Sequence, residues 1–151
     1  MVSQHNPIRL YVSHLWDADE DYNRVFEFLG GARNFFYAHS SAPDQRPAGG
    51  REAEREALRG QISPAEAVIM LSSQHRRGSD LLEFQANFAK ASDKPVILVA
   101  SFGGTGALPK LLTELADETV DWDERALVDA IRRQARHEET TRWDTIDFKP
   151  D

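Results

Sequence analysis

The sequence predicts an α/β fold in which a parallel sheet is covered by helices on both faces. Short β-rich runs alternate with helical stretches five times along 151 residues. Two of these runs, Ala67 to Leu71 and Pro95 to Ala100, are apolar without interruption, as a strand buried on both faces must be. The length suits about one compact domain with a substantial core.

Each element has its own local reason. Ile8 to Ser13 sets Leu10 and Val12 among β-formers and predicts the first strand. Tyr22, Val25, Phe26 and Leu29 repeat at i, i+3, i+4 and i+7, which predicts a helix stopped by Gly30-Gly31. Asn34 to His39, with three consecutive aromatics, predicts the second strand. Ser40 to Gly50 carries Pro43, Pro47 and paired glycines and reads as a loop. Arg51 to Gln61 is built from Glu, Ala, Arg and Leu, good helix formers, and Ser63-Pro64 ends it before the third strand at Ala67 to Leu71. Ser79-Asp80 offers an N-cap and an acidic first turn to a helix reaching about Ala91. After the fourth strand, Pro95 to Ala100, comes a glycine-rich connection at Ser101 to Pro109. Leu111, Leu112 and Leu115 then predict a short helix, Glu118 to Asp121 a weak strand, and Leu127, Val128 and Ile131 the last amphipathic helix.

Five β–α units in so short a chain give a flavodoxin-like, doubly wound sheet in the order 2-1-3-4-5. Residues 1–136 form the domain, and 137–151 read as a polar C-terminal tail in which Trp143, Ile146 and Phe148 are suited to dock on the body or on a partner. In such a sheet the ligand crevice lies beyond the carboxyl ends of the strands at the switch point. The loops after Ser13, His39 and Leu71 are therefore the places to search.

Composition narrows the function. Eighteen Lys and Arg against twenty-five Asp and Glu leave a net charge of −7, which works against binding nucleic acid or an anionic membrane. Zero Cys removes disulfides, thiolate zinc sites and thiol nucleophiles, and points to a reducing, cytoplasmic setting. No leader pattern and no apolar run near the ~18 residues of a membrane span is present.

Most motif tests of the crevice loops are negative. Ser13-His14-Leu15-Trp16-Asp17 is not the Ser/Thr/Gly-rich turn of an FMN phosphate loop, and the third strand ends Met70-Leu71-Ser72-Ser73 without the Asp of a phospho-acceptor receiver. Gly103-Gly104-Thr105-Gly106 lacks the spacings that cradle phosphates and reads as a plain connection. The histidines, at 5, 14, 39, 75 and 137, never fall at i, i+2 or i, i+4, so no metal site is expected. No G-x-S-x-G elbow occurs. His14 and His39 follow strands one and two, either as ligand neighbours or as ordinary half-exposed loop residues.

The third helix carries the informative oddity. Leu81, Phe84 and Phe88 fall at i, i+3 and i+7 and predict its inward face, with Gln85 in the middle of the stripe. A long amide aimed inward must be hydrogen-bonded or face a cavity, since leaving it unsatisfied costs about 1–3 kcal/mol. A core amide bonded to backbone and a pocket-lining amide are both open readings. Glu83, two residues before Gln85, points about 200° around the helix from it at 3.6 residues per turn and lies on another face.

These residues resemble a family: the TIR-like proteins related to the Toll/interleukin-receptor domain, in the branch found in bacterial Thoeris antiphage defence. The resemblance spans roughly Arg9 to Arg132. It rests on Tyr11-Val12-Ser13-His14 followed by Trp16 and Asp21-Tyr22, and on the aromatic strand and Pro loop from Phe35 to Pro47. Val68 to Ser72 and Ser79 through Gln85, leading to Asp93-Lys94-Pro95-Val96-Ile97, complete it. It implies an NAD-cleaving enzyme, an NAD glycohydrolase with ADP-ribosyl cyclase or transferase chemistry. NAD is the substrate, and no metal is involved. The product is an ADP-ribose-derived signal, a cyclic ADP-ribose isomer or an ADP-ribosyl conjugate, which activates a separate effector protein by diffusion. Assembly as a homo-oligomer is compatible with the family.

By the same resemblance, the catalytic position is Gln85, where the family has a Glu whose carboxylate stabilises the ribosyl centre as nicotinamide departs. Gln keeps the shape but loses the charge, and removal of one preorganised electrostatic group commonly costs on the order of 10²–10³ in rate. Binding without efficient turnover is the expectation. The amide is an engineered isosteric replacement, the mark of a natural nucleotide-binding or assembly module, or a sign that Glu83 acts instead; its isosteric character favours the first. The resemblance also implies that Ser13, His14, Trp16, Tyr22, Ser41 and Ser79 line the pocket, with Trp16 or Tyr22 stacking on a base and Arg46 assisting helix N-termini at the pyrophosphate.

Overall fold

The computed structural model describes residues 5–100 and 108–138. Five parallel strands, β1 (Ile8–Val12), β2 (Tyr37–His39), β3 (Ala67–Leu71), β4 (Val96–Val99) and β5 (Glu118–Val120), form one sheet in the order β2-β1-β3-β4-β5. The fold is the flavodoxin-like, doubly wound α/β arrangement that the alternation predicts. Between the strands run α1 (Glu20–Gly31), α2 (Gly50–Ile62), α3 (Ser79–Ala91) and α4 (Lys110–Leu115), and α5 (Glu124–Arg136) follows β5.

The strand alternation sorts the core into two layers. Ile8, Leu10, Val12, Ile69, Leu71, Ile97 and Val99 pack against Val25 and Leu29 of α1 and Leu127 and Ile131 of α5. Tyr11, Val68, Met70, Val96 and Leu98 point to the other face, against Leu58 and Ile62 of α2, Leu82, Ala86 and Ala89 of α3, and Leu112 of α4. Successive side chains of a strand must diverge in this way.

Several boundaries differ from the sequence reading. Gly30 and Gly31 lie inside the last turn of α1, and Ala32 caps it, its N–H returning to the Leu29 carbonyl. Strand β2 is only Tyr37–His39. Asn34 takes a left-handed φ of 54° and Phe35 turns into the α1–α5 layer, so the first half of that aromatic run is used as packing. Gly78, not Ser79, is the N-cap of α3, and Leu15 lies where a β-carbon on Gly78 would approach it to 3.3 Å. A single 3₁₀ turn, Ser72–Arg76, which the sequence reading passed over, connects β3 to α3. Among the described residues, no helix is long and apolar enough to cross a membrane. The glycines at 103–106 and the tail's Trp143, Ile146 and Phe148 lie outside the described residues.

At the amino ends of the strands, Glu66 takes hydrogen bonds from Arg136 Nε and Nη2 at 2.5 and 3.0 Å and from the Arg9 N–H at 3.1 Å. Burial would push the Glu66 carboxyl up, but these cationic and N–H donors together hold it below its ordinary value. This clasp fixes α5 to the sheet opposite the rim where a ligand would bind.

Candidate functional site

The face of α3 corrects the expected stripe. Leu82, Gln85, Ala86 and Ala89 are its buried residues, while Leu81, Phe84 and Phe88 flank them half-buried. The two alanines let the helix lie close on the sheet and leave the larger side chains to the sides. Phe84 stacks on Phe88 at 6.3 Å and faces α2, with Arg55 and Arg59 guanidinium carbons 5.1 and 5.3 Å from its ring centre. Gln85 is thus deeper than the aromatic stripe, with no exposed surface.

Its amide is fully occupied. Oε1 accepts from the Tyr11 hydroxyl at 2.7 Å and, more weakly, from the His14 N–H at 3.4 Å. Nε2 donates to the His14 carbonyl at 2.8 Å and to the Leu81 carbonyl at 3.3 Å. The orientation is dictated by the neighbours, because a backbone N–H demands an acceptor and two carbonyls demand a donor. A carboxylate in this pose would set an oxygen against both carbonyls. The site as folded wants an amide, and the isosteric match to Glu is not by itself a reason to regard the Gln as foreign to it.

Two further glutamines hold the end of β1, and neither was singled out from the sequence. Gln74, fully buried in the 3₁₀ turn, accepts from Ser13 Oγ at 2.7 Å and donates to the Ser13 carbonyl at 3.0 Å and to Asp19 at 3.2 Å. Ser13 Oγ in turn accepts from the Leu71 N–H at 2.9 Å, so β1 and β3 are tied together at their carboxyl ends. Gln61, in the last turn of α2, is clasped by Ala42, whose N–H donates to Oε1 at 2.9 Å and whose carbonyl accepts from Nε2 at 3.2 Å. A glutamine in a polar stretch carries no periodic signal. Only the partners' positions in space reveal it.

The His14 ring is buried and its tautomer follows from its partners. The Trp16 N–H donates to Nδ1 at 3.1 Å, which leaves the proton on Nε2 to donate to Gln61 Oε1 at 2.9 Å. Burial lowers its pKa, opposed by the Gln61 hydrogen bond and by Asp17 and Asp19, so the ring is held neutral. Trp16 meets it edge-on at 4.9 Å and Tyr22 at 6.4 Å. Tyr22 shares a hydrogen bond with Ser41 at 3.0 Å, and Ser41 shares another with His39 Nδ1 at 2.8 Å. Burial raises the Tyr11 phenol well above its usual value, and Tyr22 adds to the effect.

Of the residues expected to line a pocket, Ser13, His14, Trp16 and Gln85 come together at the end of β1, and Tyr22 and Ser41 adjoin them through the His14 ring. Ser79 is the first residue of α3 and half-buried. Arg46 stands elsewhere on the rim, paired with Glu54 at 2.9 Å. It belongs to a cavity of about 340 Å³ lined by Arg46, Arg51, Glu54, Arg55, Asp80 and Leu81, between the first turns of α2 and α3. Leu81 joins the two regions: its carbonyl receives the Gln85 amide and the same residue lines the cavity. Glu83 is turned away to His75, 2.8 Å from its Nε2. Among the described residues, no group of three or more metal-ligating side chains occurs.

The carboxyl-end crevice of a flavodoxin-like sheet, with β1 bordered by β2 and β3, is the class of site this fold defines. No family model matches the chain, and no curated protein matches it.

Proposed function

We propose that the chain is a TIR-like nucleotide-binding module that holds an NAD or ADP-ribose-type dinucleotide at the carboxyl-end rim without cleaving it efficiently. One observation carries the reading: a rim cavity bears three arginines against two carboxylates, and Leu81, whose carbonyl takes the amide of the neutral, fully bonded Gln85, lines it. In a chain of net charge −7 this local excess of positive charge favours an anionic ligand. Helices α2 and α3 also begin at this rim with glycine N-caps that supply no side-chain cap, leaving first-turn N–H groups for an anion. Arg46, Arg51 and Arg55 would take the pyrophosphate.

Turnover would require stabilisation of positive charge at the ribosyl carbon as nicotinamide leaves. The Gln85 oxygen has the right polarity for that, but it is already spent on Tyr11 and His14. The reading therefore retains the ligand class implied by the family and rejects efficient chemistry.

Titration calorimetry of the protein with NAD and with ADP-ribose tests it, beside chromatography for released nicotinamide. Saturable binding of both compounds with NAD left intact supports the reading. Loss of roughly tenfold in affinity in Arg55→Ala at low salt would assign the phosphates to the cavity. No binding of either compound would leave a protein-assembly module, and rapid nicotinamide release would make the chain an enzyme.

A further inference from the structure

We infer that the Trp16 indole is a plug supplied by the protein itself, filling at the end of β1 the slot that receives the purine ring of a nucleotide. The inference rests on the nucleotide-binding reading above and goes beyond it by assigning the base subsite and the state in which that subsite is closed.

Two features of Trp16 are unfavourable at once. Its φ is +66°, a left-handed conformation that bulky L residues avoid. Its Nε1–H is buried and has no hydrogen-bond partner among the described residues, although buried donors are nearly always paired. Neither feature helps the fold. Both persist because the loop is held on either side. Gln74 ties Ser13 and Asp19, and Arg77 pairs with Asp17 and Asp19 at 3.3 and 2.8 Å. Strain kept in place by its surroundings is characteristic of ligand clamps and switches.

The ring also lies where a base would go. It meets the neutral His14 ring edge-on at 4.9 Å, at the carboxyl end of β1, and packs against the core layer that includes Tyr11, Leu58 and Leu82. Indole and purine share a fused bicyclic outline, so a space that accepts one accepts the other. The purine of a nucleotide is substituted at its ring N–H, so it would not bury the orphan donor that the indole leaves there. Ligand entry then releases the backbone strain, and the apparent affinity is reduced by the fraction of molecules whose slot is plugged.

Trp16→Gly is the direct test, because glycine accepts the left-handed φ without strain and opens the slot. Binding of ADP-ribose, and of indole as a probe of the vacated space, is measured by calorimetry in wild type and variant. The expected result is a variant that binds indole, binds ADP-ribose roughly tenfold more tightly than wild type, and loses ADP-ribose affinity when indole is present. ADP-ribose binding equal in the two proteins, or weaker in the variant, overturns the plug while leaving the nucleotide reading intact. Binding of neither NAD nor ADP-ribose by either protein overturns both. Should Trp16→Gly fail to fold, Trp122→Phe/Trp143→Phe leaves Trp16 as the only indole. Saturating ADP-ribose must then shift its emission to the red and raise its quenching by acrylamide; an unchanged spectrum with ligand bound overturns the inference.

Discussion

Replacing Gln85 with Glu separates a structural amide from a catalytic position that merely lost its charge. In the fold, Nε2 gives its stronger hydrogen bond to the His14 carbonyl at 2.8 Å, and Oε1 receives the Tyr11 hydroxyl at 2.7 Å. A protonated Glu keeps both, using its O–H for the carbonyl. An ionised Glu keeps only the second and turns a charged oxygen toward the His14 and Leu81 carbonyls in a site with no exposed surface. Burial and carbonyl proximity raise the folded-state pKa of the new carboxyl, while Tyr11 and the His14 N–H partly oppose them. The unfolded chain ionises near pH 4.3. Relative stability is therefore retained below that pH and falls as pH rises toward the folded-state pKa, at ~1.4 kcal/mol per unit. A rise of about two units gives a penalty of ~3 kcal/mol at pH 7.5. For a domain of this size that is a melting-temperature deficit of roughly 6–12 °C. Calorimetric melts of variant and wild type at pH 4 and 7.5 supply the comparison, with the difference between proteins read at each pH. A Gln85→Glu protein that melts with wild type at pH 7.5 would refute the reasoning, because its carboxylate would then have found water or a ligand cavity.

Three other outcomes follow from the same geometry. Gln74→Leu strands the Ser13 hydroxyl and carbonyl in a buried place and should cost about 2–4 kcal/mol in urea unfolding, against less than ~0.5 kcal/mol for a change at exposed Asn87. His14 is held neutral, so the unfolded chain binds its proton more readily; stability should be fully present above about pH 6.5 and decline as pH falls from there toward the lowered folded-state pKa. His14→Asn should flatten that decline in part, leaving the contribution of His39, whose pKa burial also lowers. Arg77→Ala removes half-exposed pairs with Asp17 and Asp19, so equilibrium stability should drop by less than ~1 kcal/mol, and high salt should erase most of the difference.

Much of the architecture was legible in the sequence because burial on both faces leaves a simple mark. Strand β3 can be read to the residue from the unbroken run Ala67–Leu71. The aromatic run at 34–39 misled because Phe35 and Tyr37 serve different purposes, one as packing under α1 and α5 and the other as the start of an edge strand. In α3, periodicity located Gln85 on the inner side but chose the wrong neighbours. Bulky residues dominate a hydrophobic pattern, whereas Ala86 and Ala89 make the closest approach to the sheet. The site was legible only as a region. Tyr11 and Gln85 are 74 residues apart, and Gln61 and Gln74 act through carbonyls and amides whose positions depend on the finished sheet. The cationic cavity escaped notice because Arg51 and Arg55 read as ordinary helix formers until α3 is laid beside them.

Equilibrium dialysis of the protein against NAD, with mass spectrometry of both compartments, tests the central claim most directly. The account predicts excess NAD in the protein compartment, chemically whole after prolonged incubation, with no nicotinamide formed. Equal NAD on both sides, or nicotinamide accumulating as NAD disappears, would contradict it.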